Sequence, residues 1–464
     1  MEKIFGKTKQ IHFIGIGGIG MSGMAELLYN HGFRITGSDM NQSERTDHLK
    51  SIGIIIFKGH NKKNISSADL IVYSSAVNTN NPEIIEGNNK NIPVIKRAEL
   101  LGEIIKIKRA SLAIAGTHGK TTTSSMVGNI LYEAKLDPTI ITGGIVNKFN
   151  SNNISGSGDF IVVEADEFDR SFLHLEPTYI SINNIELEHL DIYKNLDDLK
   201  STFIKFANTK PFYGATCVGI DSKYLNEILP HIKGTTKTFA INQKADIIAK
   251  NIKYVNNKSS FDVLIQQKKA FKIELIVPGL HNIYNALSAI SLCLEIDIDV
   301  KYIIKGLNKY CGVKRRFEIK YNDINDQNIM IIDDYAHHPS EIKTTIDAIK
   351  FGWPNRRIIS VFQPHLFTRT KDFYKDFAQS LILANYNIIA PIYPAREKPL
   401  KNVTSALIQR ELEKLGHMNS YDCSNRNKIP DMVNKIVKED DIIIVMGAGD
   451  IYQSIELIYS KIHA

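Results

Sequence analysis

Six consecutive residues, Gly116-Thr117-His118-Gly119-Lys120-Thr121, combine the groups that hold the phosphates of a nucleotide. Glycines free backbone amides to face phosphate oxygens, a lysine supplies a point charge, and a threonine hydroxyl can ligate Mg2+. The full pattern G-x-x-x-x-G-K-[ST] needs glycine at position 114, where Ile114 stands. The segment is therefore a shortened form, G-x-x-G-K-T, followed by Thr122 and Thr123. It predicts ATP phosphates cradled by Gly116 through Thr122.

A second glycine loop, Gly15-Ile16-Gly17-Gly18-Ile19-Gly20, fits G-x-G-x-x-G. Such a turn brings backbone amides to a pyrophosphate at a helix N-terminus. Asp39 ends the next apolar segment, where an acidic residue can read a ribose. The loop alone reads as a dinucleotide site, with a turn kept only for tight packing as the plain alternative.

Carboxylates follow in FIVVEADEFDRSFL. Glu164 and Asp166 end an apolar segment, and a carboxylate there can share Mg2+ with the Thr121 hydroxyl. Glu164, nearer the strand, is the better ligand, and Asp169 reads as a solvated loop residue. His189, in NNIELEHLDIY, is structural or contacts a second metal.

These residues need particular elements beneath them. IHFIGIGGIGMSGMAELLYNHG and SLAIAGTHGKTTTSSMVGNILYEA share one grammar of apolar strand, glycine turn and amphipathic helix. Short continuous apolar runs predict parallel strands buried on both faces. They recur in RITGSD, LIVYSSAV, FIVVEADE and TYISINNI, and again in IMIIDDYAHHP, RIISVFQPH, NIIAPIYP and DIIIVMGAG. This rhythm predicts doubly wound α/β domains. Polar alternation from about Ala245 to Val277 predicts a small antiparallel addition.

With 464 residues, the length suggests about three domains. The expected division is residues 1–107, 108–314 and 315–464. The net charge of +7 is spread thinly, with no basic stripe interleaved with aromatics, so a nucleic-acid partner is not expected. Cys217, Cys293, Cys311 and Cys423 lie far apart and form neither a disulfide framework nor a zinc pattern. The N-terminus does not read as a secretory leader. No uncharged apolar run reaches the ~20 residues that span a bilayer. A cytoplasmic protein without membrane insertion is expected, as monomer or homodimer.

Together these segments resemble the Mur ligases of peptidoglycan synthesis. The resemblance covers nearly the whole chain. It runs through GIGGIGMSGMAELL, GTHGKTTT, EADEFDRSFLHL, NNIELEHLDIY, PGLHNIYNALSA, GVKRRFE, DDYAHHPSEI, VFQPHLFTRT, IYPAREKP and VMGAGDIY in family order. It implies three α/β domains: a Rossmann-like N-terminal domain, a central P-loop ATPase-like domain and a Rossmann-like C-terminal domain.

The resemblance also implies an activity. ATP phosphorylates the lactyl carboxylate of UDP-N-acetylmuramic acid, and the amine of L-alanine attacks the acyl phosphate. Gly15, Gly17, Gly18, Gly20 and Asp39 then serve the UDP-sugar rather than NAD. Lys120 follows the charge on the transferred phosphoryl group. Thr121, Glu164 and His189 hold magnesium. Asn282, Asn285, Arg316 and Asp334 contact ATP, with His337 beside them. His365 and Arg369 take the alanine, whose carboxylate an arginine can pair. The catalytic set is Lys120, His189, His337 and Arg369.

Plain alternatives stand beside these roles. His337-His338-Pro339 can be only a helix start, Asn282 and Asn285 can be caps, and Arg315 reads as a solvated neighbour of Arg316. Leu366 stands where many relatives carry Arg, and Leu187 and Glu188 replace the smaller residues usual before His189. Sibling ligases carry a carbamylated lysine, but Phe203 and Ile204 occupy its neighbourhood, so Lys205 is not given that role. Competing functions are a ligase that recycles a preformed tripeptide, an NAD-dependent dehydrogenase, and a non-catalytic nucleotide-binding protein.

Overall fold

A computed structural model describes residues 5–186, 192–255, 258–323, 327–395 and 397–463. The chain forms two compact units. One comprises Met1–Asn251, Asp262–Ile273 and Tyr284–Tyr310, and the other Ile252–Phe261, Glu274–Ile283 and Cys311–Ala464.

The first unit opens with a five-stranded sheet of β1 (Gln10–Ile14), β2 (Arg34–Asp39), β3 (Ile55–Lys58), β4 (Leu70–Tyr73) and β5 (Val94–Lys96). Its order is β3-β2-β1-β4-β5 and every pairing is parallel. The strand order reverses between β1 and β4, which opens a crevice at their carboxyl ends. The loops there are Gly15–Gly20 and the turn at Ser74. The helix Ile19–Asn30 buries Met21, Met24, Leu27 and Leu28, a spacing of three and four that makes one helical face. That face packs with Ile11, Phe13 and Ile16 in a single core.

A larger sheet follows. It contains β6 (Ala110–Ala115), β7 (Thr139–Val146), β8 (Ser151–Ile154), β9 (Phe160–Glu164), β10 (Tyr179–Ile182), β11 (Ala215–Gly219) and β12 (Thr235–Ala240). It continues into β13 (Ile247–Val255), β14 (Lys258–Ile265) and β15 (Lys268–Leu275), in the order β15-β14-β13-β12-β11-β10-β6-β9-β7-β8. β6 is central and parallel to both β10 and β9, which buries it on both faces. Its six residues, ASLAIA, lack alternation for that reason. The stretch expected to be polar strands is β13 to β15.

In the second unit β16 (Glu318–Asn322), β17 (Met330–Asp334), β18 (Ile358–Phe362), β19 (Tyr386–Ile389), β20 (Ser420–Asp422) and β21 (Ile442–Met446) form one sheet. Its order is β16-β17-β21-β18-β19-β20, parallel except for β16. All five residues of β17, β18 and β21 are buried. The architecture is α/β throughout, and no described helix is long and apolar enough to cross a membrane.

Candidate functional site

Two glycine loops and one cavity make the site of the first unit. The shortened phosphate loop leaves β6 and enters the helix Lys120–Glu133 through Gly119, which is left-handed at φ +83°. A Cβ on Gly119 would stand 2.2 Å from Asn285 Oδ1, so glycine is required there twice over. Asn184, at the carboxyl end of β10, braces the loop: its carbonyl accepts from Thr117 N and its Oδ1 from His118 N. Asn183 donates to Thr123 Oγ1 at 2.9 Å, and Ser288 donates to Asn183 Oδ1 at 2.7 Å. The sequence reading missed these two asparagines, although adjacent amides at a strand end beside β6 are a signal for such bracing.

Lys120 is drawn inward. Its ammonium donates to Glu167 Oε2 at 2.6 Å and to the Gly116 carbonyl at 2.7 Å, and Asp166 lies 4.0 Å away. Glu167 is 1% exposed, and its own carbonyl accepts from the Tyr193 hydroxyl. Burial beside Glu167 pushes that phenol well above its ordinary range. Thr121 is buried in the first turn of the same helix. Glu164, at the end of β9, accepts from Gly143 N at 2.6 Å. His189 lies outside the described residues, as do Leu187 and Glu188.

The first glycine loop is held from below. Ser38 O accepts from Gly15 N at 2.8 Å and from Ile16 N at 3.1 Å. Asp39 Oδ2 accepts from Gly17 N at 2.8 Å and Oδ1 from Asn41 N at 3.0 Å. Gly18 N turns back to the Gly15 carbonyl. Asp39 thus closes the loop instead of standing open at the strand end. The amides of Ile19 and Gly20 begin a helix whose cap, Gly18, has no side chain to satisfy them.

A cavity of about 280 Å3 lies between the first glycine loop and the end of β9. Gly18, Ile19 and Gly20 line one side, and Thr142, Gly143, Glu164 and Asp166 line the other. Arg97 also lines it, with Nη1 3.1 Å from where a Cβ on Gly20 would lie. Among the described residues no carboxylate pairs with Arg97. The sequence reading missed it, though it heads the helix Arg97–Ile104 directly after β5.

The second unit carries its own cluster at the carboxyl ends of β17, β18 and β21. Asp334 accepts from Phe317 N at 2.8 Å and Ala336 N at 2.7 Å, and burial raises its pKa against the opposing pull of Arg316. Burial pushes Asp333 up to about 6, with Arg315 opposing. Arg315 is not a solvated neighbour. Its guanidinium lies between the rings of Tyr335 and Tyr452, at 5.0 and 4.4 Å, and donates to the carbonyls of Gly447 and Gly449. Arg315 has φ +60°, and the Arg316 guanidinium shares the Tyr335 ring, 5.2 Å from its centroid. Arg316 meets Glu341 at 3.5 Å.

His337, His338 and Pro339 do begin a helix, Pro339–Gly352, and the Glu341 carboxylate accepts both histidine amides. The His337 ring nevertheless faces His365 edge-on at 6.0 Å, and His365 stacks on Tyr393 at 5.8 Å. Leu366, at φ +71°, holds a conformation that side chains rarely adopt, where the helix Phe367–Leu381 begins. Arg369 lies one turn along, and among the described residues no carboxylate pairs with it. Asn282 donates to the Pro278 carbonyl at 2.6 Å, whereas Asn285 lies against Gly119.

Fold and site together define an α/β protein of the nucleotide-using class, with two glycine loops that each follow a strand and enter a helix in one unit. Residues 10–109 match the Mur ligase family, catalytic domain; residues 114–293 the Mur ligase middle domain; and residues 315–449 the Mur ligase, glutamate ligase domain. The chain belongs to the Mur ligase family. It is 43% identical over 448 residues to the UDP-N-acetylmuramate–L-alanine ligase of Sulfurihydrogenibium sp., covering 97% of this chain and 96% of that protein. It is 44% identical to the ligase of the same name from Persephonella marina, covering 96% and 95%. The crystal structure of the UDP-N-acetylmuramate–alanine ligase of Thermotoga maritima superposes with a TM-score of 0.83 at 30% identity, covering 98% and 99%. A murein peptide ligase from Psychrobacter arcticus shares the fold, with a TM-score of 0.68 at 24% identity over 98% of each chain.

Proposed function

We infer that the protein joins L-alanine to the lactyl carboxylate of UDP-N-acetylmuramic acid at the expense of ATP, in the cytoplasmic synthesis of peptidoglycan precursors. The observation that carries this reading is the cavity in which the first glycine loop faces Glu164 and Asp166. It brings the helix start of the first glycine loop within one small space of the carboxylates at the end of β9, the strand beside β6. A dehydrogenase would need no such second phosphate loop.

The division of labour follows the domains 1–107, 108–314 and 315–464. The Ile19 and Gly20 amides and Arg97 receive the UDP diphosphate, whose negative charge a helix start and an unpaired guanidinium both favour. Gly15, Gly17, Gly18 and Asp39 give the loop its shape. Gly116 to Thr122 surround the ATP phosphates, Asn285 lies at their edge, and Lys120 exchanges Glu167 for the transferred phosphoryl group. Arg316 and Asp334 are assigned to the nucleotide, with His337 beside them. His365 and Arg369 take the alanine, Arg369 through its carboxylate.

The Thr121 hydroxyl and the Glu164 carboxylate are an all-oxygen donor pair, which suits Mg2+. Such an ion would supply charge stabilisation to the phosphoryl oxygens. His189 is the remaining candidate ligand from the sequence.

The chemistry left to the chain is positioning and electrostatics. The lactyl carboxylate oxygen attacks the γ-phosphorus, ADP leaves, and Lys120 follows the charge. The alanine amine then attacks the acyl carbon, phosphate leaves, and a proton is lost from nitrogen. The test is phosphate release from ATP with UDP-N-acetylmuramic acid and either L-alanine or the tripeptide L-alanyl-γ-D-glutamyl-meso-diaminopimelate. Turnover with alanine is expected, and turnover with the tripeptide alone overturns the reading.

A further inference from the structure

Beneath the first glycine loop lies a buried polar cluster that the ligation chemistry does not use. His12 on β1, Ser38 on β2 and Glu83 on the helix Pro82–Asn89 are fully buried, and the His60 side chain is 16% exposed. Glu83 accepts from Ser38 Oγ at 2.6 Å, from Asn64 Nδ2 at 2.6 Å and from Asn61 N at 3.2 Å. His12 Nε2 stands 3.6 Å and His60 Nδ1 3.4 Å from the same carboxylate oxygen. His12 is held on its other side by Thr36 Oγ1 at 2.8 Å.

The proton count defines the cluster. Ser38 has one hydroxyl proton and gives it to Glu83, so its oxygen must accept from His60 Nδ1 at 2.9 Å. Burial works to raise the Glu83 pKa, yet the nearby His12 ring and the bonds from Ser38 and Asn64 hold it below its ordinary value. An anion is therefore kept in the interior of a small sheet, where apolar side chains would pack at lower cost. What it grips is informative. The Ser38 side chain is fixed by Glu83, while the Ser38 carbonyl holds Gly15 N and Ile16 N, and the neighbouring Asp39 holds Gly17 N. Three successive amides of the glycine loop are set by two adjacent residues, and one of those is locked from behind.

We propose that the His12–Glu83–His60 cluster positions the glycine loop for its diphosphate ligand: through Ser38 it sets the direction of the Ile19 and Gly20 amides. Glu83, His12, His60 and Ser38 are positioning residues, and none touches the nucleotide. The proposal rests on the reading that this loop takes UDP-N-acetylmuramic acid.

The test uses the full-length protein, first titrated with UDP-N-acetylmuramic acid by calorimetry. Absence of binding to the unaltered protein overturns the functional reading itself. Given binding, Glu83→Gln and Ser38→Ala are each expected to raise KM for UDP-N-acetylmuramic acid about tenfold, the effect of one buried bond to a charged group. KM for ATP and kcat stay within about twofold, and the double variant is no worse than either single one, because both act through one link. Parallel rises in both KM values, additive losses, or a lowered melting temperature with unchanged KM overturn the proposal. If Glu83→Gln does not fold, Ser38→Ala carries the same KM comparison alone.

Discussion

Lys120 Nζ lies 2.6 Å from Glu167 Oε2, and that carboxylate belongs to a residue 1% exposed. The lysine is thus neutralised before any nucleotide arrives, so the loop does not hold an uncompensated cation. A phosphate group taken by this loop would compete with Glu167 and the Gly116 carbonyl for the ammonium.

Removing that ammonium therefore separates two functions. Lys120→Ala is expected to lower ligation at least about a thousandfold, since it deletes the main protein charge on the transferred group. Calorimetric affinity for UDP-N-acetylmuramic acid should stay within about threefold, because the first glycine loop is held by Ser38 and Asp39 and not by Lys120. Loss of both together would contradict the assignment of the two loops to different ligands.

Arg97 offers the complementary test. It lines the cavity beside Gly20 and pairs with no carboxylate among the described residues. Arg97→Ala should raise KM for UDP-N-acetylmuramic acid roughly tenfold or more, consistent with one charge-assisted bond, and Arg97→Lys should recover part of it. KM for ATP should not move. An effect confined to ATP would remove Arg97 from the UDP-sugar site.

Much of this was legible in the sequence because both loops are local. Strand, glycine turn and helix occupy contiguous residues, and continuous apolar runs such as IIIVM, short and rich in β-branched residues, fit parallel strands buried on both faces. The grip on the loops was not legible. Glu83 reaches Ser38 across 45 residues and Asn184 reaches His118 across 66, so no window contains both partners. Arg315 illustrates the limit. Two adjacent arginines look equivalent in the sequence; both guanidiniums lie over Tyr335, but Arg315 also meets Tyr452, whereas Arg316 meets Glu341.

The phosphate-loop helix also carries an acid-sensitive tie. Glu133 bonds Lys148 at 2.7 Å and Lys305 at 2.9 Å, and these lysines lower its pKa to about 2. A depressed carboxylate contributes stability that is present above its unfolded value and lost as pH falls through the folded one. The window is therefore about pH 4.5 down to 2. Glu133→Gln should lower the melting temperature at pH 7, at a cost of about 1 kcal/mol because both lysines keep part of their side chains in solvent, and the difference from the parent should shrink towards pH 2. Equal differences at both ends would show that packing, not charge, holds the helix Val300–Asn308 there.

Asp333 makes the opposite prediction. Burial raises its pKa from the ordinary 3.8 to about 6, with Arg315 3.5 Å away but only partly compensating. When the folded value lies above the unfolded one, the folded state binds the proton more tightly, so stability falls as pH rises between them. Above pH 6 the buried anion is a liability, bounded by about 3 kcal/mol for a shift of this size. Asp333→Asn keeps the shape and removes the charge. It should raise the melting temperature at pH 8, and the difference should vanish towards about pH 2, well below the ordinary 3.8, where both states of the parent are largely protonated. Arg315 keeps the Gly447 and Gly449 carbonyls and both aromatic rings, so the substitution does not strand a bare cation. A variant less stable at pH 8 would mean that the Arg315 pair outweighs the burial of the carboxylate.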